Sequence, residues 1–180
     1  MTGTAVEGLD LGGAAPPFDL LGTDGSRHSL ESFEAADVLV VVFLSNGCPT
    51  VRGYDERLMA LQRDLADRSV QIVAINSNSP HLSPPDAYEE MVSRAADSGY
   101  NFPYLRDEGG VVAKRFGAVA TPHAFVFDSD RKLRYRGRID DARNPEWVER
   151  SDVRVAVTEL LENATVSIPE TQPFGCAIVW

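Results

Sequence analysis

A chain of 180 residues, 43% hydrophobic and 24% charged, can bury one full core and reads as a single globular domain with some elaboration. Its 17 Lys and Arg against 27 Asp and Glu leave a formal net charge of −10. That charge argues against nucleic acids and anionic membrane surfaces as partners, because both reward clustered positive charge.

Residues 1 to 15 are small and rich in Gly and Ala, and are expected to be loose. They lack the basic and apolar segments of a secretory leader. The longest apolar run, VLVVVFL, is only strand length, too short to cross a bilayer. The expected location is the cytoplasm. 'PPFDLLGTDGSRHSLESF' alternates apolar and polar residues around Asp24-Gly25, which predicts a short hairpin, with Ser29 capping a helical turn through Phe33. 'ADVLVVVFLS', residues 36–45, predicts a central strand covered on both faces.

From Pro49 the period changes. Val51, Tyr54, Leu58, Leu61 and Leu65 form one apolar stripe, predicting a helix of about 17 residues. 'VQIVAIN', residues 70–76, is a second strand, parallel to the first by a right-handed crossover. A helix from Pro85 or Asp86 to Gly99 follows, bearing Tyr88, Met91, Val92 and Ala95, and then a short helix closed by Gly117. Residues 123–137 predict an antiparallel hairpin turning at Asp128 to Arg131. 'NPEWVERSDVRVAVTELLEN' predicts a last helix with Trp147, Val153, Val157, Leu160 and Leu161 in its stripe, and Tyr88, Trp147 and Tyr135 are expected in the core. The chain thus divides into a loose segment 1–15, a domain 16–163, and an irregular tail 164–180 with an apolar end that packs on the domain. The fold class is α/β.

Cys48 stands where the central strand gives way to a helix, between Gly47 and Pro49. Pro favours the first helical position. Free N–H groups and partial positive charge at a helix N-terminus lower a thiol's pKa and make it a nucleophile. The crevice at the carboxyl ends of parallel strands is also where α/β sheets place their sites. The alternative is a small buried hydrophobe. Arg52, one turn on, reads as a solvated helix residue. Pro122, in 'ATPHAFVFD', immediately precedes a strand and is a candidate for a cis peptide bond.

A Cys-Pro opening a helix after an apolar strand, a Thr-Pro before a hairpin, and a closing helix together resemble the thioredoxin fold. 'PPFDLLGTDGSRHSLESF' is similar to the opening of the redoxin branch, which includes peroxiredoxins and thiol-specific antioxidant proteins. 'FLSNGCPTVRGYDERL', 'FPYLRDEGGVVAKRFGAVATPHAFVFD', 'RKLRYRGRIDDARNP' and the ending 'GCAIVW' resemble a peroxiredoxin-like group of uncharacterised thioredoxin-fold proteins. The resemblance implies a three-layer fold: a mixed central sheet made of a parallel β-α-β unit and an antiparallel hairpin, helices on both faces, and an N-terminal β extension.

It also implies roles. Cys48 matches the first, nucleophilic cysteine of the thioredoxin Cys-x-x-Cys motif, and Val51 stands in the place of the second. Thr121 and Pro122 match the cis-proline loop that lies against the active cysteine and pairs with incoming thiol substrates as an extra strand. Substrate contacts are therefore expected from Gly47, Pro49, Thr121 and Pro122. The peroxidase motif Pro-x-x-x-Thr-x-x-Cys is absent: Leu44, Cys48 and Val51 occupy its three defining places. Gly47 stands where relatives carry His, and Ala120 where some carry Cys.

A lone thioredoxin-type cysteine needs a second thiol to release a mixed disulfide, and Cys176 is the one internal candidate. The sequence leaves open whether it docks near Cys48 or is simply buried in the tail. Two functional readings follow. The first is a thiol-dependent oxidoreductase, exchanging disulfides or reducing oxidants through Cys48 and Cys176. Its partners would be protein or small-molecule thiols and disulfides and a cellular thiol reductant. The second is a redox-inactive binding module that holds a soft metal through Cys48 and His123. No Gly-rich phosphate loop or recognised metal-ligand spacing is present, so no cofactor is expected. Asp140 and Asp141 are adjacent, so their side chains diverge, and they do not form a catalytic pair. The oligomeric state is left open, a homodimer included.

Overall fold

Every residue of Val38–Phe43 is buried, as β-branched and aliphatic side chains on both faces of an interior strand require. The computed structural model describes residues 8–180 and places this segment inside a mixed sheet. The strands are β1 (Asp19–Gly22), β2 (Arg27–Ser29), β3 (Val38–Phe43), β4 (Val70–Asn76), β5 (Tyr104–Arg106), β6 (Ala120–Thr121), β7 (His123–Phe127), β8 (Leu133–Gly137) and β9 (Cys176–Ala177). Seven of them form one sheet in the order β2-β1-β5-β4-β3-β7-β8, and β6 pairs with β9 apart from it. β4 runs parallel to both β3 and β5, whereas β7 runs antiparallel beside β3 and β8 antiparallel beside β7. This is the expected parallel unit joined to an antiparallel hairpin, with the β1–β2 hairpin as the N-terminal extension.

The helices are α1 (Pro49–Arg52), α2 (Asp55–Leu65), α3 (Tyr88–Ser98), α4 (Val111–Phe116) and α5 (Asp152–Leu161). Strand alternation sends Val38, Val40 and Val42 to one face, where they meet Leu58 and Leu61 of α2, Met91 of α3 and Val153 of α5. Leu39, Val41 and Phe43 point to the other face and meet Val112 and Phe116 of α4. The sheet is therefore covered on both sides. Among the described residues no helix is long and apolar enough to cross a membrane.

The structure departs from the sequence reading in several places. The helix expected from Pro49 to Leu65 is broken at Gly53. The Gly53 and Tyr54 N–H groups donate to Thr50 and Val51, three residues back, which tightens the turn before α2 begins. The apolar stripe survives the break, because Val51, Tyr54, Leu58, Leu61 and Leu65 are all buried. The Tyr54 hydroxyl donates to Asp140 at 2.7 Å, and Asp140 also pairs with Arg57 at 2.8 Å.

The last helix is shorter than expected, and Trp147 is 72% exposed rather than part of its stripe. The Asp141 carboxylate accepts the N–H groups of Glu149 and Arg150, each at 3.0 Å, which a continuous helix would have used. Only Pro145–Trp147, a single 3₁₀ turn, precedes α5. Asp140 and Asp141 do point to different partners, as their adjacency requires.

The N-terminal segment read as loose lies partly outside the described residues, at 1–7. Residues 8–15 are held. Gly12 N–H donates to the Leu133 carbonyl at 2.7 Å, Ala15 N–H to Arg131 at 2.8 Å, and Ala14 bridges to Lys132.

Alternation along β7 also decides the fate of His123. Ala124 and Val126 share the face of α2 and α5, while His123, Phe125 and Phe127 face α4. The imidazole packs on Phe125 with ring centroids 4.5 Å apart, and its Nδ1 accepts the Val119 N–H at 3.3 Å. Cys48 belongs to the cluster on the opposite face. The metal set expected from Cys48 and His123 is therefore not assembled, because one residue of register puts the sheet between thiol and imidazole.

Burial, with a smaller contribution from Arg136, pushes the His123 pKa down to about 4 from an ordinary value of 6.5. The unfolded chain takes up a proton near the ordinary value while the folded chain does not. Stability is therefore complete above that value and falls as the pH drops toward 4, by up to about 3 kcal/mol. Urea unfolding measured from pH 7 to pH 4.5 is expected to show this slope, and His123→Leu is expected to flatten it. An unchanged slope in the variant would assign the effect to other groups.

Candidate active site

The turn between β3 and α1 is shaped by one buried carboxylate. Asp86 has no exposed surface. It accepts from Asn46 N–H at 2.6 Å, Ser45 Oγ at 2.8 Å, Ser83 Oγ at 2.6 Å, Asn76 Nδ2 at 2.7 Å and Asn78 Nδ2 at 3.0 Å. Burial opposes its ionisation, but the hydrogen bonds from Ser83, Asn78, Asn76 and Ser45 outweigh it and hold the pKa below the ordinary carboxylate value. The turn approaches so closely that a Cβ on Gly47 would sit 2.7 Å from Ser83 Oγ. Sequence reasoning placed Asp86 at a helix start and missed this role. The polar run 'NSNSP' beside an apolar strand was the available signal.

Cys48 follows this turn as the N-cap of α1, with Pro49 at the first helical position. Its side chain is 1% exposed, while Gly47 and Pro49 on either side are exposed. Its Sγ lies 3.3 Å from the Thr121 carbonyl and 2.7 Å from Sγ of Cys176. Both cysteines are free thiols. The tail thus docks in the crevice rather than elsewhere on the body. Cys176 pairs with Thr121, and Ala177 with Ala120, as β9 beside β6. The Thr121–Pro122 peptide bond is cis.

The tail is seated with little slack. Gly175 has φ +146°, and a Cβ there would lie 2.0 Å from the Thr121 carbonyl oxygen, so only glycine fits. Beyond the cysteine, Ile178 N–H donates to Val119 at 3.3 Å and Val179 N–H donates to Asn78 Oδ1 at 3.0 Å. Ser79 N–H donates back to the Val179 carbonyl at 2.8 Å.

The two thiols differ in acidity. Burial opposes ionisation of Cys48, but hydrogen bonds from the Cys176 thiol, the Val51 N–H, the Thr121 hydroxyl and the Cys176 N–H overcome it and lower the pKa. Burial, the shared hydrogen bond and the charge of Cys48 push Cys176 up to about 11. The Thr50 N–H and the positive charge of Arg143 oppose that rise. The cause at Cys48 differs from the sequence argument. α1 has only four residues, so a long helix dipole is not the source; discrete hydrogen bonds are, from the Cys176 thiol first and then from the Val51 N–H. Val51, standing where a second motif cysteine would be, contributes its backbone and buries its side chain. Arg143, not singled out as a site residue in the sequence, hydrogen-bonds Thr50 Oγ1 beside the two sulfurs. Arg52 is exposed.

A mixed sheet carrying a Cys-Pro turn against a Thr-Pro loop defines a thioredoxin-fold protein of the redoxin kind. The AhpC/TSA family model matches residues 11–136, and the chain belongs to that family. It is 22% identical over 130 residues to the thiol-disulfide oxidoreductase ResA of Bacillus thuringiensis, a match covering 72% of this chain and 70% of that protein. The crystal structure of the hypothetical protein SMc02350 from Sinorhizobium meliloti 1021 superposes with a TM-score of 0.90 at 36% identity, covering 97% of this chain and 96% of that one. An uncharacterized conserved protein from Geobacillus kaustophilus superposes with a TM-score of 0.88 at 38% identity, covering 97% and 94%.

Asp86→Asn places amide hydrogens among five converging donors. It is expected to cost roughly 3 kcal/mol of stability, read by urea unfolding. A loss below about 1 kcal/mol would mean that the network tolerates a neutral side chain.

Proposed function

We propose that the protein is a thiol–disulfide oxidoreductase whose Cys48 and Cys176 cycle between a dithiol and a disulfide. The observation that carries this reading is the 2.7 Å separation of two free sulfurs from residues 128 positions apart. Forming the bond needs a movement of less than about 1 Å. The lowered pKa makes Cys48 the thiolate of the pair. Oxidation removes two electrons and two protons from the pair and delivers them to an acceptor disulfide, giving two thiols. A cellular thiol reverses the step. The family of thiol-disulfide oxidoreductases to which the chain is similar implies thiol and disulfide substrates, small or polypeptide. Peroxidase chemistry of the usual kind has no support, since Leu44, Cys48 and Val51 stand where the motif needs Pro, Thr and Cys.

Closing so long a loop also restricts the unfolded chain, by about 5 kcal/mol in the entropic model. The oxidised protein is therefore expected to resist denaturant more strongly than the reduced one. Mild oxidation should take the free-thiol count of the wild type from two to none, with the loss of two hydrogens by mass. Cys48→Ser and Cys176→Ser are each expected to lower turnover of a small disulfide on the order of a hundredfold. Unchanged turnover in both variants would sink the reading.

A further inference from the structure

The two sulfurs differ in access as well as acidity, and the difference runs opposite to their acidities. Cys48 is 1% exposed and belongs to the main core cluster, against which Phe174 and Cys176 pack. Cys176 is only partly buried, and its neighbours Gly175 and Ala177 are exposed. β9 fills the free edge of β6, so an extended peptide cannot add a strand at Thr121 while the tail is docked. The contact is built in, since Gly175 lies so near the Thr121 carbonyl that no side chain fits.

We propose that external thiols exchange with this protein at Cys176, the partly exposed member of the pair, and that Cys48 serves as the buried leaving group. This rests on the Cys48–Cys176 cycle argued above. A small thiolate attacks Cys176 Sγ of the oxidised pair, the Cys48–Cys176 bond breaks, and its electron pair departs on Cys48. A second small thiol attacks the external sulfur of the mixed disulfide. Cys176 leaves as a thiol, and the two external thiols depart joined as a disulfide. Two thiols are oxidised, one protein disulfide is reduced, and the two thiol protons pass to the protein sulfurs.

Exchange favours the accessible sulfur as the point of attack and the more acidic thiol as the leaving group. Both conditions select Cys176 for attack. Burial of Cys48 opposes its ionisation, but hydrogen bonds from the Cys176 and Val51 N–H groups and from Thr121 stabilise the departing thiolate, and the attack leaves them in place. The substrate class that follows is the small thiol, because the edge of β6 at Thr121, where an extended peptide would pair, is already taken by β9.

The test begins with wild-type protein oxidised to the Cys48–Cys176 disulfide. It is mixed briefly with glutathione and quenched in acid, and the glutathione adduct is located by peptide mass mapping. The adduct is expected on Cys176 in about tenfold excess or more. An adduct mainly on Cys48 would overturn the proposal while leaving the cycle intact. Failure to form any Cys48–Cys176 disulfide would remove the cycle and this inference together.

A second measurement needs no turnover. Labelling of Cys48 by an aromatic disulfide is compared in Cys176→Ser and in Cys176→Ser with Gly175→Val, which expels the tail. The second protein is expected to react about tenfold faster or more. Equal rates would mean that the tail does not shield Cys48, and would overturn the proposal.

Discussion

The site depends on one close backbone approach, that of Gly175 to the Thr121 carbonyl. A two-residue strand pair is weak by itself, and nothing in the sheet order brings residue 176 to residue 48. The absence of a side chain at 175 lets the tail lie flat on the Thr121–Pro122 loop, and that loop already borders Cys48. From this contact follow the sulfur separation, the burial of Cys48 and the occupied edge of β6.

The acidity of Cys48 belongs to the same contact. A buried thiol in apolar surroundings ordinarily has its pKa raised. Here burial is opposed by donors from the helix start, from Thr121 on the cis-proline loop and from the tail. Val51 N–H comes from the start of α1, and the thiol and N–H of Cys176 come from the tail. The tail therefore stabilises the thiolate that it also covers. The two sulfurs cannot both be acidic, since a charge on one raises the cost of a charge on the other, as the elevated pKa of Cys176 shows. One proton shared between two adjacent sulfurs gives a division of labour that a symmetric pair would lack.

Much of the frame was legible in the sequence because period and punctuation agreed. The continuous apolar run at 38–43, the three-and-four spacing of Val51 to Leu65, and Gly99 and Gly117 as helix ends each carry a local physical signal. The misreadings share a different cause. The break at Gly53 and the lost first turns of the last helix depend on hydrogen bonds from the adjoining turn or from distant Asp141. Trp147 looked like stripe only under a helix that Asp141 dismantles. His123 was expected beside Cys48 as a metal ligand, but strand alternation turns it to the other face. The docking site of Cys176 was open in the sequence because a tail's destination is a tertiary fact. Gly175 was its trace, a glycine beside a cysteine, unreadable without its partner carbonyl.

The Asp86 network joins the two halves of the site. Asn78 donates through Nδ2 to Asp86 and to Ser45 Oγ, and accepts through Oδ1 from Val179 of the tail. One amide thus links the turn that presents Cys48 to the segment that presents Cys176. Asp86 fixes the orientation of that amide, because a carboxylate can only accept, which obliges Nδ2 to face it and leaves Oδ1 for the tail. A neutral residue at 86 would free the amide to turn. The tail would then lose an anchor, even though Asp86 touches neither sulfur nor tail. Local opening of a short strand costs far less than global unfolding. The spacing of the two sulfurs is therefore more sensitive to this buried carboxylate than the fold itself is.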